Sequence, residues 1–367
     1  MTLERRIAFS MVKGMNLSNA VALEEKIGSV DNFFSSRTEA LWQAIGAPKS
    51  YCSDTERARV LERARAEAEF VGRNSVMALF HSDEDFPRRL DYCEDAPAML
   101  YALGECDFNS SHVVAIVGTR RSTAYGNAFT AKLVEELAER IDDLIVVSGL
   151  AYGIDVQAHK AALATGVRTV GVVAHGLKTL YPADHRDIAA RIVRQGGAIV
   201  TEYPSDAAIH RGNFLARNRI VAGMSDVVVI VESDAKGGAM VTASIASAYG
   251  REVCAVPGRS IDRYSSGPNA LIYERRATMI RNADDLIELM NWTPRAKEGT
   301  QAELPFAEIS PESRRIADYL RANPSATVND MVHGLPMAYP ELMALITEME
   351  MDDLLTSLPG GTYQVNF

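Results

Sequence analysis

A chain of 367 residues, 47% hydrophobic and 23% charged, has ordinary globular composition and length for about two to three domains. No apolar run approaches the ~18–20 residues a membrane helix needs, and the charged N-terminus lacks a secretion signal's long apolar stretch, so the chain reads as cytoplasmic with no membrane partner. The formal net charge of −10 weighs against nucleic-acid binding as a whole-molecule property, because neutralising phosphate takes Lys and Arg; any such site must be a local basic pocket on an acidic body.

The first residues, 2 to about 80, read as helical. Ile7, Phe9, Met11 and Val12 lead into Gly14, a second helix over 17–27 stops at Gly28, and a third spans 54–73, rich in Glu, Arg and Ala. Short helices separated by glycine suggest a bundle like a sterile-alpha-motif or helix-hairpin-helix domain over 1–80. A connector with Phe86-Pro87, Ala96-Pro97 and a short strand at 99–102 follows. From 112 to about 290 the pattern becomes alternating strand and helix. Val113 to Val117 is continuously apolar, as a strand buried on both faces requires. Strands are expected at 113–117, 144–147, 168–173, 198–201, 226–231, 252–255 and 279–280. Helices are expected at 125–140, 156–164, 185–195, 214–223, 240–249 and 283–290. The fold class is therefore α/β, a doubly wound and mostly parallel sheet over 81–292, whose ligands bind outside the carboxyl ends of the strands. A linker at 293–309 leads to helices at 310–322, 327–333 and 339–351. Two short strands around Pro359-Gly360-Gly361 close the chain, giving winged-helix order over 310–367.

The four cysteines, Cys52, Cys93, Cys106 and Cys254, make no C-x-x-C pair, and no His cluster has metal spacing; reduced thiols and no metal or other cofactor are expected. Chemistry points instead to glycine turns that follow strands, where backbone N–H groups and a helix's positive end converge on one spot suited to phosphate. The first turn is Gly118-Thr119-Arg120-Arg121-Ser122, whose arginines either fork onto phosphate or are simply solvated. The second runs Ser148-Gly149-Leu150-Ala151-Tyr152-Gly153-Ile154-Asp155, with Asp155 fitted either to cap a helix or to orient an arginine. Next come Lys178, Tyr181-Pro182 and Arg186, where Tyr181 either stacks on a base or packs within its loop. In Arg217-Asn218-Arg219 the i, i+2 spacing keeps both guanidinium groups from one helix side, so one binds phosphate while the other braces. Lys236-Gly237-Gly238-Ala239-Met240-Val241-Thr242 is again a glycine turn opening a helix. Neither a P-loop, a G-x-G-x-x-G after the first strand, nor a G-x-S-x-G elbow is present. Asp155, Glu202, Glu232 and Asp234 lack the paired spacing that would call for a metal.

Taken in order, these segments, with Glu202-Tyr203-Pro204, Gly250-Arg251-Glu252-Val253, Val256-Pro257-Gly258 and Gly267-Pro268-Asn269-Ala270-Leu271-Ile272, resemble the DprA/Smf family over about 86–289. The resemblance implies an extended Rossmann-like domain, commonly with an N-terminal helical domain and a C-terminal winged helix. It also implies single-stranded DNA binding in a basic pocket, dimerisation, recruitment of RecA, and a role in natural transformation or related recombination without catalysis. Carried over by position, Arg120, Arg217 and Arg219 would contact DNA, with the Gly149 and Gly238 turns lining the pocket. The family's Lys after Tyr-Pro is Ala183 here, and Lys178 or Arg186 are the candidate replacements. Leu271 and Ile272 fall where the family dimerises. The alternative is an enzyme, a nucleotide phosphoribohydrolase resembling the lysine-decarboxylase-like family, whose P-G-G-x-G-T-x-x-E motif supplies a catalytic Glu. Here Thr242 is followed by Ala243, Ser244 and Ile245. A third reading is a nucleotide-sensing adaptor that binds mononucleotides alone.

Beyond Arg321 the chain has no Lys or Arg, yet carries Asp330, Glu341, Glu348, Glu350, Asp352 and Asp353. A winged helix anchors on phosphates, and this one lacks the cations to do so. A protein-binding or autoregulatory role is expected. A Ser310–Phe367 fragment titrated with duplex or single-stranded DNA at physiological salt should show no tight binding.

Overall fold

The run Val113-Val114-Ala115-Ile116-Val117 is buried on both sides and lies within a nine-stranded sheet in the computed structural model, which describes residues 2–39, 41, 53–295, 310–324, 326–352, 354–358 and 361–366. Cys52, residues 296–309 of the expected linker and Pro359-Gly360 of the expected turn lie outside the described residues. Two compact units are distinguished, Met1–Arg295 and Ala296–Phe367.

The first unit opens with helices α1 (Leu3–Ser10), α2 (Leu17–Ile27), α3 (Val30–Ser35) and α4 (Asp54–Arg73). The strands are β1 (Val76–Phe80), β2 (Met99–Leu103), β3 (His112–Val117), β4 (Leu144–Ser148), β5 (Arg168–Val172), β6 (Ala198–Thr201), β7 (Val227–Ile230), β8 (Glu252–Ala255) and β9 (Thr278–Met279). Between and after them run α5 (Ala124–Arg140), α6 (Ile154–Thr165), α7 (Arg186–Arg194), α8 (Arg211–Gly223), α9 (Gly238–Ala248), α10 (Ser266–Tyr273) and α11 (Ala283–Leu289). The strand order is β1-β2-β6-β5-β4-β3-β7-β8-β9. All neighbours from β6 to β9 are parallel, while β1 pairs β2, and β2 pairs β6, antiparallel.

Alternation along β3 builds two cores. Val113, Ala115 and Val117 join Ile220 of α8, Ala243 of α9 and Leu271 of α10. Val114 and Ile116 face the other way, with Leu133 and Leu137 of α5, Ala158 of α6 and Leu286 of α11. Helices thus cover both faces, the arrangement an all-apolar parallel strand demands.

Two expectations need correcting. Residues 76–80 are a strand, not the end of the helical region: Ser75 turns the chain with φ 51, and Val76 to Phe80 then pair with Leu103 to Met99. Local periodicity carries no trace of a partner strand so far along the chain. The far side of that antiparallel ribbon packs against the N-terminal helices, where Ile7, Phe9, Phe33 and Val60 share a core with Phe80, Met99 and Tyr101. The Phe9 and Phe33 rings meet edge-on at 5.3 Å. The helices are also tied to the sheet's rim, for Ser205 donates its N–H to the buried Glu67 carboxylate of α4 at 2.9 Å and its hydroxyl at 2.7 Å. The second correction is α10, where a loop was expected; Pro268 fits its first turn, whose N–H groups have no helical acceptor in any case.

The second unit contains α12 (Pro311–Ala322), α13 (Val328–Gly334), α14 (Tyr339–Met351) and an antiparallel hairpin of β10 (Leu355–Leu358) and β11 (Thr362–Val365). Ser310 caps α12 by accepting the Ser313 N–H at 3.1 Å, and Thr327 with Asp330 forms a capping box on α13. Ile316, Leu320, Met331, Leu342 and Ile346 make its core. Among the described residues no helix is long and apolar enough to cross a membrane.

His159, buried on α6, bonds the Thr169 hydroxyl at 2.7 Å, which donates to the Val146 carbonyl. Burial pushes its pKa down from 6.5 to about 3. The unfolded chain therefore takes up a proton near pH 6.5 that the folded chain refuses, and stability falls as pH drops through that window by up to about 1.4 kcal/mol per unit. Urea titrations at pH 7 and pH 5 should show wild type losing roughly 2 kcal/mol more than a His159→Gln variant over that interval.

Candidate nucleic-acid interface

The chain leaves β3 towards β4 on one side, while β7 joins β3 on the other. The loops that follow these strands diverge there and leave a crevice, as doubly wound sheets do at the point where strand order reverses. It is a cleft of about 810 Å³. Its walls are Gly118 to Arg120 after β3, Gly149 and Ala151 after β4, Tyr181 after β5, Arg211, Phe214, Leu215, Arg217 and Asn218 on α8, and Lys236 to Ala239 with Thr242 at the start of α9.

Gly149 is where the site's construction is most exacting. A Cβ there would lie 2.1 Å from Nη1 of Arg217 and 2.5 Å from Oδ2 of Asp155. Arg217 is only 5% exposed, and its Nη1 donates to the carbonyls of Gly149 and Val172. Asp155, also buried, accepts backbone N–H groups from Ala151 and Gly118 and faces Arg217. Burial pushes the Asp155 carboxyl up and the Arg217 guanidinium down, and the opposite charge of each resists that shift. Asp155 thus orients an arginine and holds two turns together, rather than capping α6, whose cap is Gly153. Gly153 has φ +77, and a Cβ on it would come within 2.1 Å of the Thr119 carbonyl, so this glycine lets the β3 and β4 turns meet.

Above this floor the cleft is cationic and aromatic. Arg120, Arg211 and Lys236 are exposed, and among the described residues none of them is paired with a carboxylate. Arg120 lies 5.4 Å from the centre of the Phe214 ring, which meets the Tyr181 ring edge-on at 5.7 Å. Tyr181 is 42% exposed. Helix α9 presents its N-terminus to the cleft, with no side chain capping it and open space beside Gly238. Its free amides and positive dipole end favour an anion. Of the acidic residues here, Asp234 is bonded to Arg263 at 2.7 Å, which holds its carboxyl below the usual range. Glu232 is turned away to accept the Thr123 N–H at 2.9 Å and the Thr123 hydroxyl. No cluster of His, Cys, Asp or Glu suited to a metal occurs among the described residues.

Of the residues singled out in the sequence, Gly118, Arg120, Gly149, Tyr181, Arg217, Asn218, Gly237, Gly238 and Thr242 line the cleft, with Gly153 packed beneath it. Arg121, Ser122, Lys178, Arg186 and Arg219 do not. The expectation that Arg217 and Arg219 both present themselves to a ligand is corrected. Two positions apart on α8, they point to different sides. Arg217 goes under the floor, and Arg219 pairs with the Glu202 carboxylate, with Asp95 4.0 Å away. Burial pushes Glu202 up, and Arg219 counters it. Lys178 and Arg186 are exposed, but neither stands in the cleft as a replacement for the Lys absent at Ala183. Leu271 is 1% exposed and belongs to the core, with Ile272 packed half-buried against it; on that segment Tyr273 is the exposed ring, at 89%. Sequence reasoning missed Arg211 and Lys236. Lys236 stands directly before the Gly237-Gly238 turn, and Arg211 was hidden by placing the start of α8 three residues too late.

A model of the family described as DNA recombination-mediator protein A matches residues 77–291. The Smf protein of Escherichia coli is 34% identical over 295 residues, 77% of this chain and 76% of that protein. The DNA processing protein DprA of Bacillus subtilis is 36% identical over 208 residues, 56% of this chain and 69% of its own. Among solved structures, that of DNA processing protein A from Streptococcus pneumoniae aligns with a TM-score of 0.66 at 25% identity, covering 78% of this chain and 98% of that one. The Helicobacter pylori protein, whose structure describes its single-stranded DNA binding mode, aligns with a TM-score of 0.53 at 33% identity over 59% of this chain and 95% of that one.

The crowding at Gly149 can be measured. A Gly149→Ala variant should lose about 1–3 kcal/mol in urea titration, because its methyl group must displace Arg217 or Asp155.

Proposed function

Since the chain belongs to the DNA recombination-mediator protein A family, the DprA/Smf proteins, we propose that its cleft grips single-stranded DNA, protecting the strand and passing it to RecA in transformation or recombination, without catalysis. The observation that carries this reading is the convergence of Arg120, Arg211 and Lys236, unpaired, with the Tyr181–Phe214 ring pair and the open end of α9 in one cleft. Phosphates sit against the cations and the α9 amides, and bases stack on the exposed aromatic faces. Stacking accepts every base, so binding is tolerant of sequence. The Helicobacter pylori relative's single-stranded DNA binding mode supports the reading.

The phosphoribohydrolase alternative needs a carboxylate from the α9 turn, where this chain has Ala243, Ser244 and Ile245. Few cations on a molecule of charge −10 give a short footprint, which favours subunits acting together. We read the protein as a homodimer joined through the α10–β9 end of the sheet, where Tyr273 and Met279 are exposed. The second unit, read as a winged helix, serves protein binding: α14 exposes Tyr339, Glu341, Glu348 and Met351 and carries no cation.

Oligo(dT) titrations over a salt series test the cleft. Each of Arg120→Ala, Arg211→Ala and Lys236→Ala should lower the salt slope by about 0.7 while leaving thermal unfolding unchanged. Phe214→Ala should lose about 1–3 kcal/mol of binding. Gly238→Ala, with open space for its methyl group, should fold as wild type yet bind more weakly. Arg219→Ala should instead destabilise the fold by roughly 3 kcal/mol, by leaving Glu202 buried alone. Undiminished binding across the cleft variants would remove the proposal.

A further inference from the structure

Tyr181 reaches the cleft from the turn after β5, 42% exposed, with its ring edge-on to Phe214. What fixes its backbone is a histidine. His175 is 0% exposed. Its Nδ1 lies 3.0 Å from the Gly176 carbonyl oxygen, and its Nε2 lies 3.0 Å from the Tyr181 backbone nitrogen. A carbonyl oxygen can only accept and a backbone N–H can only donate. Nδ1 therefore carries the proton and donates to Gly176, while the bare Nε2 accepts from the Tyr181 N–H; the Tyr181 carbonyl oxygen, 3.3 Å from Nε2, is the longer contact and receives no proton from it. One ring in one tautomer closes both bonds and joins the beginning of the turn to its end. The turn is steadied again where the Lys178 N–H meets the Ser205 carbonyl at 3.4 Å, on the same Ser205 that Glu67 grips.

We infer that His175 is a positioning residue for base stacking: its imidazole clamps the Tyr181 backbone and so sets the Tyr181 ring against Phe214 as a platform in the cleft. The inference rests on the single-stranded DNA reading and assigns a task to a buried side chain that never meets the ligand. Its signature differs from that of a phosphate contact. Loss of the clamp weakens stacking and leaves the count of neutralised phosphates, and therefore the salt slope, as it was.

The experiment is a double-mutant cycle read by oligo(dT) binding to the full chain, with His175→Ala and Tyr181→Ala separately and together. His175→Ala should weaken binding about tenfold, with an unchanged salt slope, and should weaken it no more than about twofold once Tyr181 is already Ala. His175→Gln, whose side-chain amide can donate to Gly176 and accept from Tyr181, should return binding to within about twofold of wild type. Equal losses in both backgrounds, a His175→Gln variant no better than His175→Ala, or a Tyr181→Ala variant that binds as wild type would each overturn the inference. If His175→Ala does not fold, His175→Asn, too short to span both partners, takes its place in the same cycle with the same outcomes. Wild-type protein that fails to bind oligo(dT) would instead overturn the single-stranded DNA reading itself. Binding that falls in Arg120→Ala and Lys236→Ala but not in Tyr181→Ala would keep that reading and remove His175's role.

Discussion

Arg217 lies beneath a glycine, with its charge in the interior and its donors on main-chain oxygens. A guanidinium taken out of water is costly unless its N–H groups find acceptors and an opposite charge stands near. Gly149 and Val172 supply the acceptors and Asp155 the charge, and the bare α-carbon of Gly149 makes the room. The arrangement ties α8 to the ends of β4 and β5 and, through Asp155, to the turn after β3. The walls after β3 and β4 and along α8 hang on those connections. Because the cation is fixed in place, its contribution to the potential in the cleft belongs to the scaffold and involves no flexible side chain that must be ordered when a ligand arrives.

How much of this could be read from the residues follows from how local each cause is. Helix α4 was legible to its ends, 54–73, since its cap, composition and periodicity all lie within it. The parallel strands were legible because burial on both faces leaves continuous apolar runs, and the glycine turns because close approach admits no other residue. Strand β1 was not, since its partner is remote, and α10 was not, since eight residues opening on Ser266-Gly267-Pro268 look like a turn. For the site, the i, i+2 spacing correctly said that Arg217 and Arg219 part company. Which one the cleft would see depended on Glu202, fifteen residues upstream of Arg217 and reachable only through the fold. For Leu271, placed by resemblance in the family's dimer segment, burial is decided by β3 and β8 rather than by its neighbours in sequence.

The acidic balance of the chain also becomes intelligible in three dimensions. Many of its arginines are engaged with carboxylates away from the cleft, as in Arg281 with Asp285, Arg140 with Asp284 and Arg59 with Glu56. Such exposed pairs add little stability, yet they cancel charge where it has no ligand to meet. Within the cleft, Arg120, Arg211 and Lys236 stand without such partners among the described residues. On a body of net charge −10, cations left unpaired in a cleft make that cleft a place where ionic strength acts on any anion it meets.

The seam between the N-terminal helices and the antiparallel ribbon has one more implication. Phe80, Met99 and Tyr101 share their core with helix residues such as Ile7, Phe9, Phe33 and Val60, and the Ser205 turn is moored to α4 by the Glu67 carboxylate and by Arg63 on Asp206. Trimming the chain back to the Rossmann-like core would strip an oily sheet face bare beside an outermost strand with an unpaired edge. Such a product invites self-association.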